Sequence, residues 1–255
     1  MNETLELIEA RCSTRAYDGA PVREEHKQAI LHAAMRAPTA GNLMLYTIIE
    51  VADQRLKDRL AVTCDDQPFI ARAPWVLVFV ADFQKWTDIF AMSDVDELRG
   101  VRHRGAPGVG DLLMACSDAT IAAQNAVIAA ESLGIGSCYI GDVLNQAERH
   151  VDLFGLPAHT LPVVMVCFGY PGGRRRRAPR YEQHVVQTDR YRRLSDDELR
   201  QVSDELAQLR NPRGFRDGIA NVGQDVYARK YAAEFSHELN RSAAVWLERW
   251  QSENG

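Results

Sequence analysis

Helical and extended patterns of apolar residues succeed one another along the whole chain. Asn2 to Arg11 places Leu5 and Ile8 on one helical face, with Thr4 as the candidate cap. Arg23 to Met35 turns Ala29, Ile30, Ala33 and Ala34 inward, and Pro38 and Gly41 open a loop after it. Leu45 to Val51 is rich in strand formers, and Gln54 to Ala61 predicts a short helix. Trp75 to Ala81 is apolar almost throughout, as in a strand covered on both faces. Phe83 to Met92 predicts a helix, and Ser93 to Gly108 a loop or lid. Gly110 to Leu133 predicts the longest helix, with alanines 115, 119, 122, 123, 126, 129 and 130 around much of its circumference. A helix apolar on most sides is buried on most sides, at the domain centre, at a subunit contact, or both. Ser137 to Ile140 and Val163 to Phe168 predict strands, separated by a helix, Asn145 to Phe154, closed by Gly155 and Pro157. Pro171 to Arg180 is a basic loop. Two amphipathic helices end the chain, Asp196 to Leu209 and about Asp225 to Trp250, linked by Arg210 to Gly223. Helices alternating with a few short strands make the class α+β or α/β.

Charge and cysteine usage narrow the function. The chain has 255 residues and a net charge of −5, so nucleic acid is a poor first partner. Five cysteines, none spaced C-x-x-C, read as reduced thiols and not as a disulfide framework or zinc ribbon. The N-terminus lacks the basic and apolar regions of a signal peptide. The longest uninterrupted apolar run, Ala73 to Ala81, falls far short of the roughly 20 residues of a membrane helix. The expected compartment is the cytoplasm, with no membrane partner.

Familiar catalytic motifs are missing. The sequence contains no H-E-x-x-H, no G-x-S-x-G and no metal-ligand spacing, so no metal is expected and no nucleophile motif is read from it. Gly136 to Gly141 has P-loop glycine spacing, but Asp142 and Val143 stand where Lys and Ser/Thr belong. Gly134-Ile135-Gly136 opens like a dinucleotide fingerprint, but Tyr139 stands where its third glycine belongs.

Five stretches remain informative. In Arg11-Cys12-Ser13-Thr14-Arg15, an extended backbone projects Arg11, Ser13 and Arg15 to one side, a donor set suited to a phosphate monoester. In Ala37 to Asn42, Pro38 restricts the loop, Gly41 permits positive φ, and Asn42 offers a donor and an acceptor to a heterocycle edge. Gln67 is a second bidentate amide, ahead of the strand at Trp75. Gly134 is a candidate helix C-cap, and Gly141 offers backbone N–H beside a ring. Arg174 to Arg177 with Arg180 concentrates positive potential in an acidic chain. Taken singly, these also read as a solvated loop, two plain turns, a cap and a solvated basic face, and the arginine run alternatively as an RNA-backbone patch.

Together, in this order, the segments resemble the nitroreductase family of flavoproteins, most of all its NADPH-preferring, oxygen-insensitive nitroreductase and flavin reductase subgroup. The matching pieces are RCSTRAY, APTAGN, DDQPFIARAPWVLVFVADFQ, DATIAAQNAVIAAESLGIGSCYIGDV, LPVVMVCFGYP and Pro179-Arg180. The resemblance implies an α+β three-layer sandwich, a central mostly antiparallel sheet flanked by helices, in an intertwined homodimer. Residues 1–185 would form the FMN-binding core, and 186–255 a helical extension on the core or the partner subunit.

By position, the resemblance assigns the FMN phosphate to Arg11, Ser13 and Arg15 with Arg177 and Arg180. It assigns the ribityl chain and ring to Thr39, Gly41, Asn42 and Gln67, with Ile140 and Gly141 nearby. Arg210, Arg213 and Arg216 would meet the NADPH 2′-phosphate. Two departures stand out: Met44 occupies the place of a family glutamine, and Ala178 that of a lysine. The implied activity is ping-pong electron transfer from NADPH, or NADH, through FMN to small-molecule acceptors such as nitroaromatics, quinones or free flavin. The alternatives are a flavin store or sensor without turnover and a specialised relative resembling a reductive dehalogenase.

Overall fold

The computed structural model describes residues 2–173 and 180–252. The chain forms two compact units, Met1–Arg177 with Glu238–Gly255, and Ala178–His237. The first unit contains α1 (Glu3–Ala10), α2 (Glu24–Met35), β1 (Tyr46–Glu50), α3 (Gln54–Thr63), α4 (Pro68–Arg72) and β2 (Trp75–Asp82). It continues through α5 (Gln84–Ala91), α6 (Val109–Ser132), β3 (Gly136–Ile140), α7 (Ala147–Phe154) and β4 (Thr160–Gly169). The four strands pair in the order β1-β2-β4-β3, every pair antiparallel. The class is therefore α+β.

Both faces of this sheet are covered. On one side Leu77, Phe79, Val164, Val166 and Phe168 pack against α2 and the alanines of α6. On the other, Val76, Val78, Val80, Met165 and Cys167 pack with α3, α4 and the last helix of the chain. All eight residues of β2 are buried, as its unbroken apolar run requires. The ten buried residues of α6 include six alanines, whose small side chains bring helix and sheet close. By length and composition α6 meets the requirement for a membrane span, contrary to the reading from uninterrupted runs. Its burial against the sheet accounts for its apolarity instead. Asn2, not Thr4, caps α1: its side-chain oxygen accepts the Leu5 N–H at 3.0 Å.

Residues 12–14 run beside β3. Ser13 bridges Ser137 in parallel, and the Thr14 N–H donates to the Ser137 carbonyl at 2.8 Å. This approach needs glycine at 136, where a Cβ would lie 2.3 Å from Thr14 Oγ1. Gly134, with φ +74°, ends α6 in the left-handed conformation expected of a cap.

The second unit holds α8 (Asp196–Arg210), started by a Ser195–Glu198 capping box, and α9 (Val222–Val226). The single terminal helix expected over Asp225 to Trp250 is in fact interrupted. A π-turn at Tyr227–Tyr231 separates α9 from α10 (Glu234–Trp250). The Ala232 N–H reaches the Tyr227 carbonyl at 2.8 Å, the wider spacing of a π-turn. From Glu238 onward α10 belongs to the first unit. There Trp246 Nε1 donates to the Leu144 carbonyl and Trp250 Nε1 to the Gly108 carbonyl.

His150 of α7 is fully buried and joins two elements. Its Nδ1 donates to the Val143 carbonyl (2.7 Å), so its Nε2 accepts from the Thr63 hydroxyl (2.8 Å). Burial, ahead of all other influences, pushes its pKa below the ordinary 6.5. The unfolded chain therefore binds this proton more tightly. The contribution to stability is complete above pH 6.5 and declines as pH falls toward the lower folded value. Urea midpoints should fall between about pH 7.5 and 5.5, and a His150→Gln variant should show a shallower fall. In thermal or urea melts, Gly136→Ala should lose about 1–3 kcal/mol, because Thr14 must be displaced.

Candidate functional site

The chain leaves α1 at Arg11 and becomes extended. Cys12 and Thr14 point inward and are buried; Ser13 and Arg15 are exposed, and Arg11 is half-buried. All three polar residues act on the same point of β3. The Cys138 thiol is pushed up by burial, opposed by Arg15, the Ser13 hydroxyl and Arg11. Burial also pushes the neighbouring Tyr139 phenol up to about 12, against the Arg11 charge. The Arg15 guanidinium lies 5.8 Å from the centre of the Phe69 ring. Among the described residues neither Arg11 nor Arg15 is ion-paired, so two guanidinium forks and a hydroxyl are available on one side.

Phe69 belongs to α4, whose N-cap is Gln67. The turn before it is tight, with Asp65 and Asp66 both at positive φ. Gln67 Nε2 donates to the Cys64 carbonyl and to Asp142 Oδ2, each at 2.8 Å. Asp142 stands one residue beyond Gly141, in the 3-10 turn Gly141–Leu144 that follows β3. Arg11, Ser13, Arg15, Gln67, Ile140 and Gly141 thus share one neighbourhood along β3, with Ile140 buried and Gly141 exposed. One expectation changes. Gln67 does not face a ligand as a bidentate amide, because its N–H side is already used within the chain.

Thr39, Gly41 and Asn42 lie elsewhere. They form a 3-10 turn ahead of β1, with Gly41 and Asn42 both near φ +55 to +58°. A residue that sequence reasoning passed over holds this turn. The buried Asp118 of α6 accepts the Ala40 N–H (3.0 Å) and the Leu45 N–H (3.2 Å) on its two carboxylate oxygens. In the sequence it is one of three acidic residues in an alanine-rich helix, and nothing in the pattern marks it for burial. Thr39 Oγ1 accepts the Met44 N–H at 3.2 Å, which uses part of its bonding capacity internally. β1 and β3 are opposite edges of the sheet, three strand spacings or about 14 Å apart. Within one chain this turn and the arginine cluster belong to opposite edges of the sheet.

Arg210, Arg213 and Arg216 are brought together in the second unit. With Asn211, Asp225 and Arg229 they line a cavity of about 390 Å³. Asp225, nearly inaccessible to solvent, binds Arg229 through Nε at 2.8 Å and Nη2 at 2.5 Å. Its carboxyl is held below the usual range by that pairing first, with Asn211 and the Arg216 charge assisting despite burial. Sequence reasoning gave neither Asp225 nor Arg229 a role, although their i, i+4 spacing is that of a helical ion pair. Arg177, with Ala178 and Pro179, lies outside the described residues, and Arg180 is exposed in the second unit.

The Asp118 contacts generate a test. Asp118→Ala leaves two buried N–H groups without their acceptor and should cost about 2–4 kcal/mol in urea unfolding. Hydrogen exchange at the Ala40 and Leu45 amides should rise more than exchange within β2.

The nitroreductase family model matches residues 8–170. An oxygen-insensitive NADPH nitroreductase of Salmonella typhimurium is 31% identical over 229 residues, 89% of each chain. An NADPH-flavin oxidoreductase of Vibrio harveyi is 29% identical over 242 residues, 94% of this chain and 95% of that one. Among solved structures, NADPH:FMN oxidoreductase from Vibrio harveyi complexed with NAD+ superimposes with TM-score 0.78 at 26% identity, covering 96% and 98% of the two chains. B. megaterium NfrA1 superimposes with TM-score 0.81 at 28% identity over the same shares. Matched by that model over more than half its length, and by relatives over nearly all of it, the chain belongs to the nitroreductase family.

Proposed function

We propose that this protein is an FMN-dependent NAD(P)H oxidoreductase that reduces nitroaromatics, quinones or free flavin by two-electron, ping-pong turnover. The carrying observation is the outward-facing Arg11, Ser13 and Arg15 beside Gly141 and Gln67, on a nitroreductase fold. The relatives named above are NADPH-dependent flavin and nitro reductases, which favours turnover over a passive store.

FMN fits this donor set. A phosphate monoester needs several unpaired donors with positive charge, and the two guanidiniums and the hydroxyl supply them. Bound there, FMN would supply hydride acceptance and two-electron donation. The chain's part is to hold it. Arg11, Ser13 and Arg15 would bind the phosphate. Gln67 would present its oxygen, and Ile140 and Gly141 would meet the ring. Thr39, Gly41 and Asn42 complete the ribityl and ring contacts from a second copy of the chain. The position of their turn at the far sheet edge supports this, as does the exposed apolar face of α6, which includes Val109, Leu113, Met114 and Ile121. We therefore read the protein as a homodimer. Its free thiols suit a reducing compartment, the cytoplasm.

For the nucleotide, Arg210, Arg213 and Arg216 bind the NADPH 2′-phosphate. Asp225 and Arg229 shape that cavity from behind.

The flavin reading is tested by mixing FMN-loaded protein with NADPH in a stopped-flow spectrometer. Flavin absorbance should bleach and return when a quinone is added. A protein that takes up no FMN, or whose flavin NADPH leaves oxidised, overturns it. Replacing Arg210, Arg213 and Arg216 together by Ala should raise KM for NADPH by about tenfold or more and leave KM for NADH nearly unchanged. Equal effects on both nucleotides would remove these arginines from the 2′-phosphate site.

A further inference from the structure

We propose that Asp142 is a positioning residue, which fixes the Gln67 amide so that it meets FMN only as a hydrogen-bond acceptor. The inference rests on the FMN reading and adds to it what Gln67 can recognise.

A glutamine amide has two N–H donors on its nitrogen and one acceptor oxygen. Here one N–H points to the Cys64 carbonyl and the other to Asp142 Oδ2, each at 2.8 Å. Both donors are consumed. The reversed orientation would set the amide oxygen against a carbonyl and a carboxylate, two acceptors with no proton between them. Chemistry therefore decides which way the amide points.

The parts around it are anchored. The Gln67 N–H donates to the Ala61 carbonyl at 2.8 Å, the Gln67 carbonyl accepts the Ile70 N–H at 3.1 Å, and Pro68 follows. The Asp142 carbonyl accepts the Asn145 N–H at 3.0 Å, inside the turn that begins at Gly141. Cys64 is fully buried. The half-buried Gln67 therefore offers its Oε1 alone.

This restricts the contact. The C2 and C4 carbonyls, N1 and N5 of an oxidised flavin are all acceptors, and Gln67 has no proton left to give them. The groups it accepts from are the ring N3–H or a ribityl hydroxyl. A ligand without an N–H or O–H at this point would leave Oε1 unpaired in a part-buried site, at a cost in affinity.

The test is a double-mutant cycle on the full-length chain freed of flavin, reading the dissociation constant of FMN by quenching of its fluorescence. Asp142→Ala should weaken FMN about fivefold to tenfold. Asp142→Asn keeps an acceptor oxygen and should stay within about twofold of the parent. In a Gln67→Ala background, Asp142→Ala should add less than about twofold. A second pair does not depend on the alanine variant folding. Gln67→Glu alone sets two carboxylates together and should weaken FMN at least as much as Asp142→Ala. Adding Asp142→Asn restores a donor opposite that carboxylate and should recover part of the loss, since the Cys64 carbonyl still faces an oxygen. The proposal is overturned if the effects of Gln67 and Asp142 are independent, or if Asp142→Asn fails to rescue Gln67→Glu. Should the unsubstituted chain bind no FMN, the functional reading itself has failed, and that result is separable from either of these.

Discussion

A single carboxylate in the middle of α6 determines where the first strand begins. Asp118 is buried, and a buried charge is costly unless its lone pairs are used. Two backbone N–H groups use them, at Ala40 and Leu45, and these bracket the turn 40–45. The turn carries positive φ at Gly41, Asn42 and Met44; glycine and asparagine tolerate that conformation, but Met44 does not favour it. What holds them is the helix behind. Lys85 adds to the arrangement: its Nζ donates to the Tyr46 carbonyl, and the Asp82 and Asp118 charges oppose the lowering of its pKa by burial. Without the close seating of α6, which its alanines permit, the carboxylate would not reach the turn.

Much of this fold can be read from local pattern. β2 and α6 announce themselves through continuous apolarity, and alternation at Arg11, Ser13 and Arg15 announces an extended segment with one polar side. What local pattern leaves out is held by distant partners. Gln67 reads as a two-way amide until Asp142, 75 positions away, takes its second proton. The break in the terminal helix has no proline or glycine to mark it; it is a π-turn, beside the Asp225–Arg229 pair and the mutually tilted Tyr227 and Tyr231 rings. Asp118 and Asp225 escaped notice for the same reason. Each is an acidic residue in an ordinary helical position whose burial only the folded chain reveals.

Charge is distributed unevenly in this acidic protein. Some of its exposed arginines are matched to carboxylates, as Arg192 is to Glu198 and Arg241 is to Glu148 and Glu238. Among the described residues Arg11 and Arg15 have no such partner, and Asp142, beside Gly141, is engaged with Gln67. An ion pair already formed must be broken before an anion is bound, whereas an unpaired guanidinium yields its full charge to the ligand. The second unit uses another arrangement. There Asp225 takes up Arg229 and draws on Arg216, so that one buried carboxylate gathers arginines around a cavity without cancelling all of their charge.

The sheet order bears on how many chains make one site. Loops at opposite edges of a four-stranded sheet are separated by about 14 Å, and the layers on both faces block the direct path between them. One ligand touching both groups in a single chain would have to pass around the sheet edge. In the homodimer proposed above, a second copy would remove the difficulty, since two-fold symmetry could set the β1-edge turn of one chain against the β3 edge of the other and repeat the contact on the far side. Such an arrangement needs an apolar surface to hold the copies together. Val109, Leu113, Met114 and Ile121 on the open side of α6 provide one, on the helix whose Asp118 holds the turn that would be presented. In this reading, placement of the turn and association of the chains depend on the two faces of one helix.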